Sequence, residues 1–262
     1  MAIDRLSMSG RGVGLTGGGG HLGSAMALAL ADAGATVVII GRTLEPLEVV
    51  AEAAAHSDGE VMPLQADAFD ADTVGTVLDL LAQRGRDLEG WVNNAYSGGM
   101  AQLDELDEQS VSGDLRSGLA DPIRATARVG KYMTARGRGS IVNVASMYGV
   151  VAPHPDIYRD DEDMHNPAIY GAAKAGLIQF TRYAAVHWAR SGVRVNALVP
   201  GAFPAPSVTE RERFISRLEQ QIPMGRVGRP DELGWAAVFL LSDASSYMTG
   251  QSLVIDGGWT AW

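Results

Sequence analysis

Gly12-Val13-Gly14-Leu15-Thr16-Gly17-Gly18-Gly19-Gly20-His21-Leu22-Gly23 is the stretch on which the fold turns. Gly12 to Thr16 has the length and apolar character of a buried strand. Gly20 to Ala33 is alanine-rich and reads as a helix. Between them lies a run of glycines. A tight glycine turn from a first strand into a first helix lets backbone approach a pyrophosphate. The helix N-terminus then adds oriented N–H groups and a favourable dipole. The junction predicts a dinucleotide site built from Gly17, Gly19, Gly20, Leu22 and Gly23. His21 either packs locally or touches phosphate.

The alternation continues outward from this turn. Strand-like runs are Ala35–Gly41, Glu60–Gln65, Leu88–Asn93, Ser140–Ala145, Val193–Leu198 and Ser252–Ile255. Helical stretches are Leu44–Ala55, Asp70 to about Arg84, a segment ending near Arg136 before Gly137, Ala168–Arg190, Ser207–Gln220 and Asp231–Leu241. Regular β-α alternation predicts an α/β fold, doubly wound, with a parallel sheet covered by helices on both faces. No linker, repeat or low-complexity segment interrupts residues 1–262, so a single domain is expected. One segment breaks the rhythm. Ala152 to Pro167 holds three prolines and the acidic cluster Asp160-Asp161-Glu162-Asp163, and reads as a surface loop. A solvated acidic turn is expected there rather than a calcium or magnesium site.

Bulk properties narrow the class. The net charge of −10 argues against nucleic acid or an anionic membrane surface as partner. No apolar run is long enough for a membrane span. The chain has no cysteine, hence no disulfide or thiolate metal site, which suits a cytoplasmic location. No metal site is expected.

Only two lysines stand among nineteen arginines, and one of them, Lys174, follows Tyr170 by four residues. In Tyr170-Gly171-Ala172-Ala173-Lys174 the two side chains share a helix face. An ammonium beside a phenol favours the phenolate, which predicts a lowered Tyr170 pKa and a role in proton transfer. The bland alternative is a surface pair. After the second strand, Gly41-Arg42-Thr43 lacks the acidic residue that would hold both ribose hydroxyls of NAD. Arg42 there suits a 2′-phosphate and Thr43 can add a hydrogen bond, so NADP(H) is expected over NAD(H). Alternatively Arg42 is a solvated surface charge.

Together these residues resemble the short-chain dehydrogenase/reductase family, over essentially the whole chain. The matching pieces are the glycine turn, Asp67, Asn93-Asn94-Ala95, Ile141-Val142-Asn143-Val144-Ala145-Ser146, Tyr170 with Lys174, Asn196, Pro200-Gly201 and Asp256-Gly257-Gly258. The resemblance implies a Rossmann domain with a seven-stranded sheet, and hydride exchange between a nicotinamide cofactor and an alcohol or carbonyl. It implies Tyr170 as general acid/base, Lys174 on the nicotinamide ribose and Ser146 on the substrate oxygen. It puts Asp67 and Ala68 at the adenine, Asn94, Ala95 and Tyr96 along the cleft, and Pro200, Gly201 and Phe203 near the carboxamide. It further implies a homotetramer or dimer built on the long helices, with Gly171, Ala172, Ala175 and Gly176 packing either between subunits or within one.

The chain departs from the family in five places. His21 stands where the short branch has its middle glycine. Tyr96 replaces the last glycine of N-N-A-G, either shaping the pocket or packing under the loop. Gly118 stands where the family's fourth catalytic residue, an asparagine, helps hold a relay water; Ser117 or the Gly118 backbone is the expected substitute. Ser146 and Tyr170 lie 24 positions apart, about twice the family spacing, because of the acidic insertion. Ala205 takes the place of a threonine that contacts the carboxamide. The ending Asp256-Gly257-Gly258-Trp259-Thr260-Ala261-Trp262 resembles sugar-acid and polyol dehydrogenases. The loop groups His154, Asp156, Tyr158 and Arg159 can bond a hydroxylated substrate. Phe203 to Gly225 is the expected lid, with Arg211, Arg213 and Arg217 on its solvated face. The competing functional readings are an epimerase or dehydratase that uses bound cofactor transiently, and a non-catalytic cofactor-binding regulator.

Overall fold

The structure, a computed structural model, describes residues 3–99, 101–158 and 165–262. The acidic cluster Asp160–Asp163 and Arg159 lie outside the described residues. Seven strands form one parallel sheet: β1 (Gly12–Thr16), β2 (Thr36–Gly41), β3 (Glu60–Gln65), β4 (Leu88–Asn93), β5 (Gly139–Val144), β6 (Val193–Pro200) and β7 (Ser252–Ile255). Their order is β3-β2-β1-β4-β5-β6-β7. The chain reverses its direction of travel across the sheet between β1 and β4. The crevice at the carboxyl ends of those two strands is where doubly wound sheets bind ligands.

Helices cover both faces because parallel strands need crossovers. On one face α1 (His21–Asp32), α2 (Glu45–Ala53) and α10 (Pro230–Leu241) bury Met26, Leu30, Leu47, Leu233 and Val238 against the sheet. On the other, α3 (Thr73–Gln83), α5 (Asp121–Arg136) and α7 (Ala168–Trp188) bury Val77, Leu81, Val129, Met133 and Ala184. Gly137 ends α5 at φ +71°, a left-handed C-terminal residue that glycine adopts without a Cβ penalty.

Three expectations need correction. The helix α4 (Glu108–Leu115) and a π-helical turn at Arg116–Ala120 precede α5, in a stretch where the sequence reading placed no element. Their apolar periodicity is poor; the helix is set instead by Asp107, whose side chain accepts from the Ser110 backbone in a reciprocal cap. Ala152–Pro167 is not wholly irregular, since α6 (Pro155–Tyr158) forms a helical turn that buries Ile157 against Phe214 and Leu218. The Ser207–Gln220 helix is two helices, α8 (Pro206–Thr209) and α9 (Glu212–Gln221), broken at Glu210 and Arg211.

A buried amide chain ties the layers together. Trp91 Nε1 donates to Asn93 Oδ1 at 2.7 Å; Asn93 Nδ2 donates to Asn143 Oδ1 and to Thr126 Oγ1, both at 2.8 Å. Asn143 Nδ2 donates to Thr181 Oγ1 at 2.9 Å, and Thr181 in turn to the Leu177 carbonyl. This joins β4, β5, α5 and α7. Asn93, which the sequence placed at the end of a strand, is thus a structural crosslink. Asn143→Ala strands two buried donors or acceptors and should cost roughly 1–3 kcal/mol. A lower urea midpoint at unchanged slope is the expected result.

Candidate active site

The glycine turn lies against the end of β4 and is held there by two side chains. Thr16 Oγ1 accepts from the Asn94 and Ala95 backbone N–H groups at 2.9 and 3.0 Å. Asn94 Nδ2 donates to the Thr16 and Gly17 carbonyls, both at 3.1 Å. Asn94 therefore spends its amide on locking the turn, where the sequence suggested a place along the adenosine side of the cleft. Gly17 adopts φ +69°, and a Cβ there would come within 3.0 Å of the Ala95 Cα. Only glycine suits both constraints.

The turn opens onto a cleft of about 740 Å³. Gly17, Gly19, Gly20, His21, Leu22 and Gly23 form its floor, and Arg42, Thr43, Asp67 and Ala68 one rim. Asn94, Ala95 and Tyr96 continue the wall toward Ser117. Pro200 and Gly201 lie at the end of β6 away from that lining, and Phe203 faces a smaller recess beside Gly228. The residues fit a dinucleotide. A Cβ on Gly19 would meet Pro46 at 3.0 Å, and one on Gly20 the Gly17 carbonyl at 3.3 Å, so the floor is bare backbone. The buried His21 Nε2 lacks a hydrogen-bond partner. Arg42 is exposed and makes no ion pair among the described residues. One Asp67 oxygen accepts from the Phe69 backbone at 2.9 Å, shaping its own turn.

Ser146, Tyr170 and Lys174 converge where β5 ends against α7. Ser146 Oγ accepts from the Tyr148 backbone at 3.2 Å and shares a hydrogen bond with Tyr170. Lys174 is buried, and its Nζ donates to the Val144 carbonyl at 2.9 Å. Burial brings the ammonium down to about 8. Burial also pushes the Tyr170 phenol up, and the Ser146 hydrogen bond only partly opposes this. The lowered phenol expected from Tyr170–Lys174 proximity is therefore reversed in this structure. The reason is geometric: Nζ lies 5.6 Å from the Tyr170 ring centroid and is directed at a carbonyl.

Tyr96, which replaces the family glycine, sits inside this group. Its ring meets Tyr170 edge-on, with centroids 5.1 Å apart and planes at 70°. Gly118 lies beside it in the π-helical turn. On the far side, the Tyr148 and Tyr158 hydroxyls are hydrogen-bonded at 2.9 Å. Burial raises both phenols, so both stay neutral. Tyr158 comes from the insertion, and α9 closes over it through Phe214, at 5.7 Å between ring centroids. Arg217 Nη1 donates to the Ile157 carbonyl at 3.1 Å, so this arginine ties the lid helix to the insertion. The sequence had left it on a solvated face. Neither the Tyr148–Tyr158 pair nor the Arg217 tie had a sequence signal, because each joins segments whose separation in sequence says nothing about contact.

A family model described as enoyl-(acyl carrier protein) reductase matches residues 20–260. The chain is 35% identical to cis-4-hydroxycyclohexanecarboxylate dehydrogenase of Sinomonas cyclohexanicum, over 94% of this chain and 95% of that protein. It is 34% identical to gluconate 5-dehydrogenase of Gluconobacter oxydans, over 98% and 97% of the two chains. Among solved structures, gluconate 5-dehydrogenase from Burkholderia cenocepacia, in complex with NADP and tartrate, superposes with a TM-score of 0.85. That pair is 30% identical, with both chains fully covered. The chain belongs to the short-chain dehydrogenase/reductase family. It is an NAD(P)-dependent oxidoreductase.

The lowered Lys174 pKa has a stability consequence. Between about pH 8 and the usual lysine range the unfolded chain holds a proton that the folded one has released, so stability rises with pH in that window. Below about pH 8 both states are protonated and the burial cost is felt in full. Relative to Lys174→Met, the wild type should gain stability from pH 8 to 10, read as diverging urea midpoints.

Proposed function

We propose that the chain interconverts a secondary alcohol and a ketone on a hydroxylated carbon skeleton, a sugar acid or polyol being the favoured class, with NADP(H) preferred over NAD(H). The observation that carries this reading is the convergence of Ser146, Tyr170 and Lys174, with Tyr96 linking them to the glycine-floored cleft. The glycine floor would hold the pyrophosphate, and Arg42 with Thr43 the 2′-phosphate. Bound nicotinamide supplies the hydride acceptor or donor. Ser146 orients the substrate oxygen. Tyr170 gives or takes the proton at that oxygen. In the free protein the raised phenol is protonated at neutral pH, the state a carbonyl reduction needs. Lys174 brings the positive charge.

The substrate class is supported by the paired hydroxyls of Tyr148 and Tyr158, which stand near Ser146 and Tyr170 on an aromatic backing of Phe214 and Trp259. Relatives named for gluconate, galactitol and threitol oxidation point the same way. A homo-oligomer built on α7 belongs to this reading: Tyr183 and Val186 stand exposed on that helix, whereas Gly171 and Gly176 pack within the chain against the Tyr148 carbonyl and Leu119.

Two experiments test the proposal. In a fluorescence titration NADPH should bind more tightly than NADH, and Arg42→Ala should weaken NADPH about tenfold, roughly 1.4 kcal/mol, while sparing NADH. Equal loss for both cofactors would remove Arg42 from the 2′-phosphate. In a screen of ketoses, keto-acids and polyols, Tyr170→Phe should lose at least about 100-fold in turnover yet still bind NADPH. Retained turnover would sink the assignment of the proton donor. Stoichiometric NADPH oxidation separates this chemistry from epimerisation or dehydration.

A further inference from the structure

Gly118 is open to more than one occupant by its chemistry, and the structure shows what stands beside it. A Cβ at 118 would lie 2.9 Å from the Ala173 Cβ and 3.3 Å from Tyr96 Cε2. The space that a side chain on the π-helical turn would need is bounded by Ala173 and by the edge of the Tyr96 ring. The same ring lies 5.3 Å from Lys174 Nζ, which sits over its face. That is inside the range of about 6 Å in which a ring quadrupole attracts a cation. The edge contact with Tyr170 completes the arrangement. One aromatic ring thus touches the turn, the lysine and the tyrosine.

The outer end of Tyr96 is also built in. Its hydroxyl is buried and has no hydrogen-bond partner among the described residues, as is true of Asp114 Oδ2 and Ser117 Oγ. The other Asp114 oxygen accepts from the Gly99 backbone. Asp114 is close enough to act on the Tyr96 phenol by charge, and with burial it holds that phenol protonated.

We propose that Tyr96 is a positioning residue of the catalytic pair: its ring packs beside Gly118, holds the Lys174 ammonium on its face and braces the Tyr170 ring. This rests on the reading of Tyr170 and Lys174 as the proton-handling pair. The replacement of the two family residues is then one change. A glycine at 118 leaves room for the ring, whereas a side chain there would press first on Ala173 and then on the ring edge.

The groups facing the pair are few. Lys174 meets the Val144 carbonyl from β5 and the Tyr96 and Tyr170 rings. Tyr170 meets Ser146 and Tyr96, and it acts by charge on the Tyr148 and Tyr158 phenols, helping to raise both. Asp114 comes from α4 and Ser117 from the turn; Arg116 in the same turn is exposed and pairs with Asp121 of α5.

The chain's two lysines make a direct test possible without substrate or cofactor. Protein labelled with 13C at lysine Cε shows one signal from Lys131 and one from Lys174, assigned with Lys131→Arg. The midpoint of the Lys174 signal is followed against pH in wild type, Tyr96→Phe and Tyr96→Leu. Phe keeps the aromatic face; Leu keeps the apolar cover but removes that face. Tyr96→Phe should titrate close to wild type, and Tyr96→Leu roughly 0.5–1 pH unit lower, with Lys131 unmoved. Tyr96→Met replaces Tyr96→Leu should the latter fail to fold. A Leu or Met midpoint equal to wild type overturns the proposal. A midpoint that rises also overturns it, because the ring would then be only a seal against water. Because the readout needs no turnover, failure here leaves the dehydrogenase reading standing, and loss of that reading leaves this titration intact.

Discussion

The Asn93–Asn143–Thr181 hydrogen-bond chain is the constraint on which the site depends. Asn93 ends β4, Asn143 lies within β5, and Thr181 faces them from α7 two turns beyond Lys174. Buried amides are costly unless both ends are paired, so the chain admits one register of α7 on the sheet. That register puts Lys174 under the Val144 carbonyl and Tyr170 beside Ser146. A slip of one residue along the helix would turn the tyrosine and the lysine away by about 100°. The same Asn93 stands one residue before Asn94, whose amide locks the glycine turn. The glycine turn and the Ser146, Tyr170 and Lys174 group are therefore positioned by consecutive residues at the end of one strand.

Electrostatics in the site follow from burial more than from pairing. The sequence placed an ammonium next to a phenol and expected mutual stabilisation of charge. In the fold both groups are drawn out of water, and each is pushed toward its neutral form: the lysine down, the tyrosine up. The carbonyl of Val144 and the face of Tyr96 are the groups that keep the ammonium. A neutral phenol held at a serine hydroxyl is suited to donate a proton. The flanking phenols, Tyr148 and Tyr158, are neutral as well, so they add hydroxyls beside Tyr170 without adding charge.

The insertion between Ser146 and Tyr170 leaves both in place because it leaves and re-enters at the surface. Pro155–Tyr158 folds back as a helical turn, and Ile157 plugs into the apolar cluster under α9. Helix α9 and the Pro155–Tyr158 turn share Phe214, Leu218 and the Arg217 tie, so these two segments pack as one.

By itself the sequence determined the architecture. Glycine spacing after the first strand, alternating strand and helix periods, and the Tyr170–Lys174 step on one helix face are all local patterns, and local patterns survive in a one-dimensional reading. Arg42 and the missing acidic residue after β2 were legible for the same reason. Tertiary structure alone decided what distant residues do to each other. Asn94, a residue of the cleft wall, is also the latch on the glycine turn, Arg217 went from a surface charge to a tie, and the phenol shift reversed its sign. Tyr96 and Gly118, two separate irregularities in the sequence, became one packing arrangement. Each of these is a matter of burial and of contact between segments remote in the chain, and neither quantity exists until the chain has folded.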